Sequence, residues 1–319
     1  MAPEWAQQGS GMGWKASDVP DQSGKTAVVT GGNGGLGLAA SLALAAHGAH
    51  VVIGARNLEK AEAARRTIES AVPAASIEVV PLDLASLASV AAFAAAVKSA
   101  HPKLDLLFNS AGVMAVKEGV TADGFETQFG TNHLGHFALT LQLLPALLVA
   151  PSPRVVSMTS TARWMAGKYD LSNPHMRGCY DAWQAYGMSK RANLQFAFEL
   201  NRRLKDRGLA AFAADPGLSK TDLQPASARA NNGFAQRFWV VAVNVGGQSA
   251  ARGTLPQLRA GTDPAAVGGT LYAPRWISFG APVVRGVGKG IANPAQYEQL
   301  WELSERETGI TLDVALAGA

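Results

Sequence analysis

Tyr186 and Lys190 stand four residues apart in Tyr186-Gly-Met-Ser-Lys190, and a phenol one helical turn from an ammonium can be made into a proton donor. Free tyrosine titrates near ~10 and is a weak acid–base catalyst at neutral pH. A neighbouring cation stabilises the phenolate and draws that value toward the working range. Downstream, Phe196, Leu200 and Leu204 form an apolar stripe, which predicts a helix opened by Tyr186 and Lys190. By itself the pair also fits an ordinary amphipathic helix, so its meaning depends on what lies upstream.

Gly31-Gly-Asn-Gly-Gly-Leu-Gly37 is the second chemical signal. It follows a short apolar strand, Lys25 to Thr30, and opens an Ala/Leu-rich helix reaching about His47. Strand, glycine turn and helix are the layout of a dinucleotide site. Glycines let the backbone approach a pyrophosphate, and the helix N-terminus offers it free N–H groups. Ser23-Gly-Lys-Thr26 hints at a P-loop, but position 19 is Val19 and the glycine cluster follows the strand that Lys25 opens, so a P-loop is rejected. A second strand, Ala49 to Gly54, ends at Ala55-Arg56-Asn57. There an acid takes ribose hydroxyls in NAD sites, whereas a base accommodates a 2′-phosphate. No acid precedes Glu59, and a guanidinium fork suits phosphate, which favours NADP(H) over NAD(H). The other reading of Arg56 is an exposed loop residue.

The elements that must position these groups alternate at close spacing. A helix from Leu58 to about Val72 precedes strand Ile77 to Leu82, which ends on Asp83-Leu84. A helix over Leu87 to Ala100 precedes strand Leu104 to Phe108, which runs into Asn109-Ser-Ala-Gly112. This predicts an α/β fold: a doubly wound parallel sheet of Rossmann type. A helical pattern over residues 125–148 contains Asn132 and His133. A mid-helix Asn is either exposed or turned inward to hold something. Strand Arg154 to Ser160 ends on hydroxyls, a loop spans 163–182, and strand Leu209 to Ala214 leads to Asp215-Pro-Gly217. Ser157, Thr159 and Thr161 rival Ser160; strand alternation and position before the loop favour Ser160. His133 and His136 lack a carboxylate or third His at ligand spacing, so they read as helix-face residues and no metal site is expected.

Residues 1–23 read as a loose arm and 24–319 as one domain, with a substrate lid at 222–250 and a C-terminal extension at 262–319. The extension is heavy in Gly and Pro to 292 and carries a helix over 294–307. A net charge of +4 without basic clusters excludes a nucleic-acid stripe. One cysteine cannot form an internal disulfide, which fits a reducing compartment. No signal-peptide pattern and no apolar run of ~18–20 residues are visible, so a cytoplasmic protein without a membrane span is expected.

Thr30-Gly31-x-x-x-Gly35-x-Gly37, Asn109-Ser-Ala-Gly112, Asn132, Ser160 and Tyr186-x-x-x-Lys190, in this order and spacing, resemble the short-chain dehydrogenase/reductase family. Gly130-Thr-Asn-His-Leu-Gly-His-Phe137, Tyr186-Gly-Met-Ser-Lys-Arg-Ala-Asn193, Asp215-Pro-Gly217 with Thr221, and Leu255-Pro-Gln-Leu resemble its retinol dehydrogenase and protochlorophyllide reductase-like branch. The resemblance implies that Gly31, Asn33, Gly35, Leu36 and Gly37 admit the pyrophosphate. Arg56 then takes the 2′-phosphate, Asp83 and Leu84 hold adenine, and Asn109, Ala111 and Gly112 support the adenosine side. Pro216, Gly217, Leu218 and Thr221 border the nicotinamide end. Ser160 and Tyr186 converge on the substrate oxygen, Lys190 binds the nicotinamide ribose, and Asn132 fixes a water that refills Tyr186 through Lys190. Ser110 and Asp215 depart from the family's usual Asn and His. The membrane segment of animal retinol dehydrogenases is missing from this chain, which puts retinoids themselves in doubt.

The expected activity is interconversion of a carbonyl and an alcohol on a fairly hydrophobic small molecule. Trp164, Met165, Trp183, Phe234, Phe238 and Trp239 are the apolar wall in that reading. Family members often pair through the Tyr186 helix, which implies a homodimer or homotetramer. A serine hydrolase lacks its Gly-x-Ser-x-Gly. A non-catalytic NAD(P)-binding sensor is the alternative.

Overall fold

The computed structural model describes residues 13–167, 169–219, 247–288 and 290–318. Thr221, Phe234, Phe238, Trp239 and most of the expected lid lie outside the described residues.

Short runs dominated by apolar residues form the sheet: β1 (Thr26–Thr30), β2 (His50–Ala55), β3 (Ser76–Pro81), β4 (Leu106–Asn109), β5 (Arg154–Met158) and β6 (Ala210–Ala214). Such runs suit parallel strands covered on both faces. With β7 (Leu271–Pro274) and β8 (Pro282–Arg285), the order is β3-β2-β1-β4-β5-β6-β7-β8, parallel except for the antiparallel β7–β8 pair. β1 therefore sits between β2 and β4, and the winding reverses there, which opens a crevice at the C-terminal strand ends.

Side-chain alternation divides the core into two layers. Val28, Val52, Leu107 and Val155 face Phe93, Leu141, Leu144, Phe196 and Leu200. Those partners lie on α3 (Leu87–Ala100), α4 (Gly135–Leu147) and α5 (Ala182–Leu204). Val29, Ile53, Phe108, Val156 and Phe212 face Leu44, Ile68 and Leu258 on the other side. These partners come from α1 (Gly35–Ala46), α2 (Leu58–Ala71) and α6 (Leu255–Thr262). The strand period of two thus supplies both faces of one sheet.

Four expectations are corrected. The helical pattern over 125–148 is not one helix: a turn at Thr127–Phe129 and a π-helical stretch at Gly130–Leu134 precede α4. β5 stops at Met158, and Ser160 instead caps a 3-10 turn over Thr161–Met165, its Oγ accepting from Ala162 N–H at 3.2 Å. The Gly/Pro-rich extension holds two short strands, β7 (Leu271–Pro274) and β8 (Pro282–Arg285), which prolong the sheet. Four-residue strands carrying proline at an end leave almost no periodic signal. The described part of the N-terminal arm is docked, with Ala16, Val19 and Gln22 buried and Gln22 N–H donating to His47 O at 2.7 Å.

The helix expected over 294–307 is α7 (Pro294–Thr308), and it lies along α5. Trp301 stacks on Phe196, and Arg191 donates to Gln296 Oε1 at 2.9 Å. The chain's own extension therefore covers part of the helix that carries Tyr186. No helix among the described residues is long and apolar enough to cross a membrane.

Candidate active site

The glycine turn needs its glycines for backbone reasons. Gly31 has φ +67°, a left-handed conformation that side chains rarely adopt. A methyl on Gly37 would run into the Gly31 carbonyl, so α1 packs onto the turn only with glycine there. The turn floors a cleft of about 370 Å³ lined by Gly31, Asn33, Gly35, Leu36 and Gly37. Asp83, Leu84, Ala111 and Gly112 line its middle, and Arg56 closes the end where β2 finishes. Lys60, in the first turn of α2, lines the same end and was missed by sequence reasoning. Its only signal is its place in the first turn of α2, which starts at the cleft.

Thr30 fixes the turn to the Asn109–Gly112 loop. Its Oγ1 accepts from the N–H groups of Ser110 at 2.9 Å and Ala111 at 3.0 Å. The third partner is His136, whose Nε2 lies 2.8 Å away while its Nδ1 lies 2.8 Å from Asn132 O. A carbonyl only accepts, so Nδ1 carries the proton and Thr30 donates to Nε2. Burial holds His136 near 4 and His133 near 3, so both are neutral. His133 Nε2 lies 2.8 Å from Ser304 Oγ in the core.

Ser110, the departure from the family pattern, donates to Gln257 Oε1 at 2.6 Å. Gln257 in turn donates to Leu36 O at 3.2 Å. The late Leu255-Pro-Gln-Leu segment is thereby tied to the glycine turn. Asn109 does not line the cleft; it is buried and donates to Thr140 Oγ1 at 3.0 Å.

The second half of the site depends on α5. Asp181 caps it, accepting from Gln184 N–H at 2.7 Å. Three bonds join α5 to the end of β5: Thr159 Oγ1 to Lys190 O at 2.7 Å, Asn193 Nδ2 to Met158 O at 3.0 Å, and Lys190 Nζ to Met158 O at 3.3 Å. They bring the Tyr186 phenol close enough to the Ser160 side chain for Ser160 to stabilise the phenolate. Among the rival hydroxyls, Thr159 is spent on Lys190, Ser157 is buried and Thr161 is exposed, while Ser160 is the one that acts on the phenol. Asn132 lies inside the π-helical stretch. Its Oδ1 accepts from Val113 N–H at 2.8 Å, and its Nδ2 donates to Val113 O and Ser189 Oγ, both at 2.9 Å. Both side-chain N–H groups are thus used within the protein.

One electrostatic expectation is corrected. Burial, not Lys190, dominates the phenol and pushes Tyr186 above the ordinary tyrosine value; Ser160 opposes this and the Asp215 charge adds to it. The Lys190 ammonium lies 5.7 Å from the ring centroid and is directed at Met158 O rather than at the hydroxyl. Burial also lowers Lys190 to about 8, against the pull of Asp215.

Asp215 is buried, its Oδ2 2.5 Å from Arg163 Nη1 and its Oδ1 accepting from Gly217 N–H at 2.9 Å. Arg163 also donates to Ser160 O at 2.7 Å. Pro216, Gly217 and Leu218 lie beyond the cleft lining, and Leu218 N–H donates to Ser278 O at 3.2 Å. Trp164 and Met165 are exposed, and Trp183 meets the Tyr186 ring edge-on at 6.2 Å.

The family model described as short chain dehydrogenase matches residues 25–232. A short-chain dehydrogenase/reductase of Armillaria gallica is 38% identical over 302 residues, covering 92% of this chain and 93% of that one. Human retinol dehydrogenase 13 is 40% identical over 201 residues, covering 63% of this chain and 60% of that one. The crystal structure of an uncharacterised protein from Mycobacterium paratuberculosis superposes with a TM-score of 0.77 at 37% identity, covering 94% of this chain and 99% of the other.

Proposed function

This chain belongs to the short-chain dehydrogenase family of oxidoreductases, and from that premise we propose that it uses NADP(H) to interconvert a ketone or aldehyde and its alcohol on a fairly hydrophobic small molecule. The observation that carries the reading is the closeness of Tyr186 to Ser160 at the C-terminal edge of the sheet, with Lys190 beside Gly112 of the glycine-floored cleft.

The cleft fits a dinucleotide diphosphate, because its floor is glycine backbone without side chains and the N-terminus of α1 supplies free N–H groups. Arg56 and Lys60 place two cations at the adenosine end, and no carboxylate of β2 is there to take the ribose hydroxyls. That charge pattern supports a 2′-phosphate. When bound, a nicotinamide cofactor supplies hydride chemistry at its ring.

The chain's own residues then do the remaining work. Negative charge grows on the carbonyl oxygen during reduction, and the hydroxyls of Ser160 and Tyr186 are two preset donors for it. Burial keeps Tyr186 protonated at neutral pH, which suits a group that gives its proton to that oxygen. Lys190 holds a positive charge beneath the ring and beside Gly112. Asn132 braces Val113 and Ser189, and so the loop and helix on either side of Lys190. Trp164, Met165 and Trp183 support an apolar substrate.

NADPH and NADH consumption against a panel of apolar ketones and aldehydes tests this, with Tyr186→Phe as the companion. Wild type should oxidise NADPH, and the variant should lose about 10²–10⁴ in rate. Consumption of neither cofactor overturns the reading.

A further inference from the structure

At the opposite edge of the sheet, His50, Glu78 and His101 bring their ligating atoms within 4.8 Å of one another. Parallel pairing puts them there: His50 opens β2 opposite Ser76 of β3, and Glu78 lies two residues further along β3 on the same face. His101 follows the end of α3, the helix that covers that face. Glu78 Oε2 lies 2.7 Å from His101 Nε2 and 3.7 Å from His50 Nε2, and the two imidazole centroids are 4.8 Å apart.

We propose that His50, Glu78 and His101 bind one divalent transition-metal cation, for which Zn²⁺ is the best match. Two imidazoles and one carboxylate are three protein ligands of the kind zinc takes, with water completing a tetrahedron. Donors at ~2.0–2.2 Å from zinc stand roughly 3.3 Å apart. The carboxylate–imidazole separations here, 2.7 and 3.7 Å, straddle that value. The imidazoles need only turn toward one another, and all three side chains are partly exposed. Mg²⁺ and Ca²⁺ prefer oxygen alone and fit poorly.

Two details distinguish this cluster from an incidental ion pair. His50 Nε2 is buried without a hydrogen-bond partner while directed at Glu78. His50 Nδ1 lies 2.7 Å from Ser76 Oγ, an outer partner that can hold the Nδ1 proton and leave the Nε2 lone pair to a metal. The dinucleotide cleft lies at the C-terminal strand ends, whereas this cluster lies where β2 and β3 begin. The cation would therefore act as a clamp joining β2, β3 and α3, with no part in hydride chemistry.

The test is calorimetric titration and thermal unfolding of the tag-free, metal-stripped full chain with Zn²⁺ and, separately, Mg²⁺. One equivalent of Zn²⁺ should bind saturably and raise Tm, while Mg²⁺ does neither. Glu78→Gln and His101→Asn should each weaken Zn²⁺ at least tenfold, and His50→Gln serves if either fails to fold by circular dichroism. Absence of saturable Zn²⁺ binding, or binding that the folded variants leave unchanged, overturns the proposal.

Discussion

Arg163 Nη1 and Asp215 Oδ2 meet at 2.5 Å with both side chains almost wholly out of water, and the Asp215 charge acts on the Tyr186 phenol. The same guanidinium nitrogen holds Ser160 O, and the same carboxylate holds Gly217 N–H. The acid that departs from the family pattern is thus committed to an internal ion pair that fixes two loops of the site.

Breaking that pair leaves a buried charge alone. Asp215→Asn should destabilise the fold by about 3–5 kcal/mol, and Arg163→Met/Asp215→Asn should recover part of this because no charge is left stranded. Urea unfolding of the single and double variants measures the difference. A single variant as stable as wild type would contradict the pairing.

Lys190 sets a basic limit. Its ammonium form is present below its folded value of about 8 and is lost above it, so kcat/KM for carbonyl reduction should fall as pH rises through about 8. Asp215 raises the Lys190 value, so Asp215→Asn should move this limb to lower pH. A pH–rate profile reads both effects, and an unmoved limb would separate Asp215 from Lys190.

Arg56 decides between the two nicotinamide dinucleotides. Losing a charge-assisted bond to phosphate costs about 1.5–3 kcal/mol, so Arg56→Ala should raise KM for NADPH roughly 10- to 100-fold. NADH kinetics should scarcely change. Equal losses with both cofactors would place Arg56 outside phosphate recognition.

His136 makes the fold acid-sensitive. Its folded value is near 4 against ~6.5 unfolded, so the unfolded chain takes up the proton first as pH falls. Stability is full above ~6.5 and declines toward pH 4, by about 3 kcal/mol from this group alone. His133, lowered to about 3, acts in the same sense. Denaturant unfolding between pH 7 and 4 follows the decline, and His136→Gln should flatten it.

The amino-acid sequence alone determined the doubly wound sheet, the glycine turn, and the approach of Tyr186 and Lys190 on one helix face. Those features are local: a strand period, a helix period, and glycines demanded by a turn. Tertiary structure decided what depends on residues far apart in sequence. Asn132 turned inward within a π-helical stretch, Gln257 reached Ser110 and Leu36 O, and Arg163 paired with Asp215. Only packing could show that burial outweighs Lys190 at the Tyr186 phenol, because desolvation depends on every neighbour of a group and not on its spacing from one.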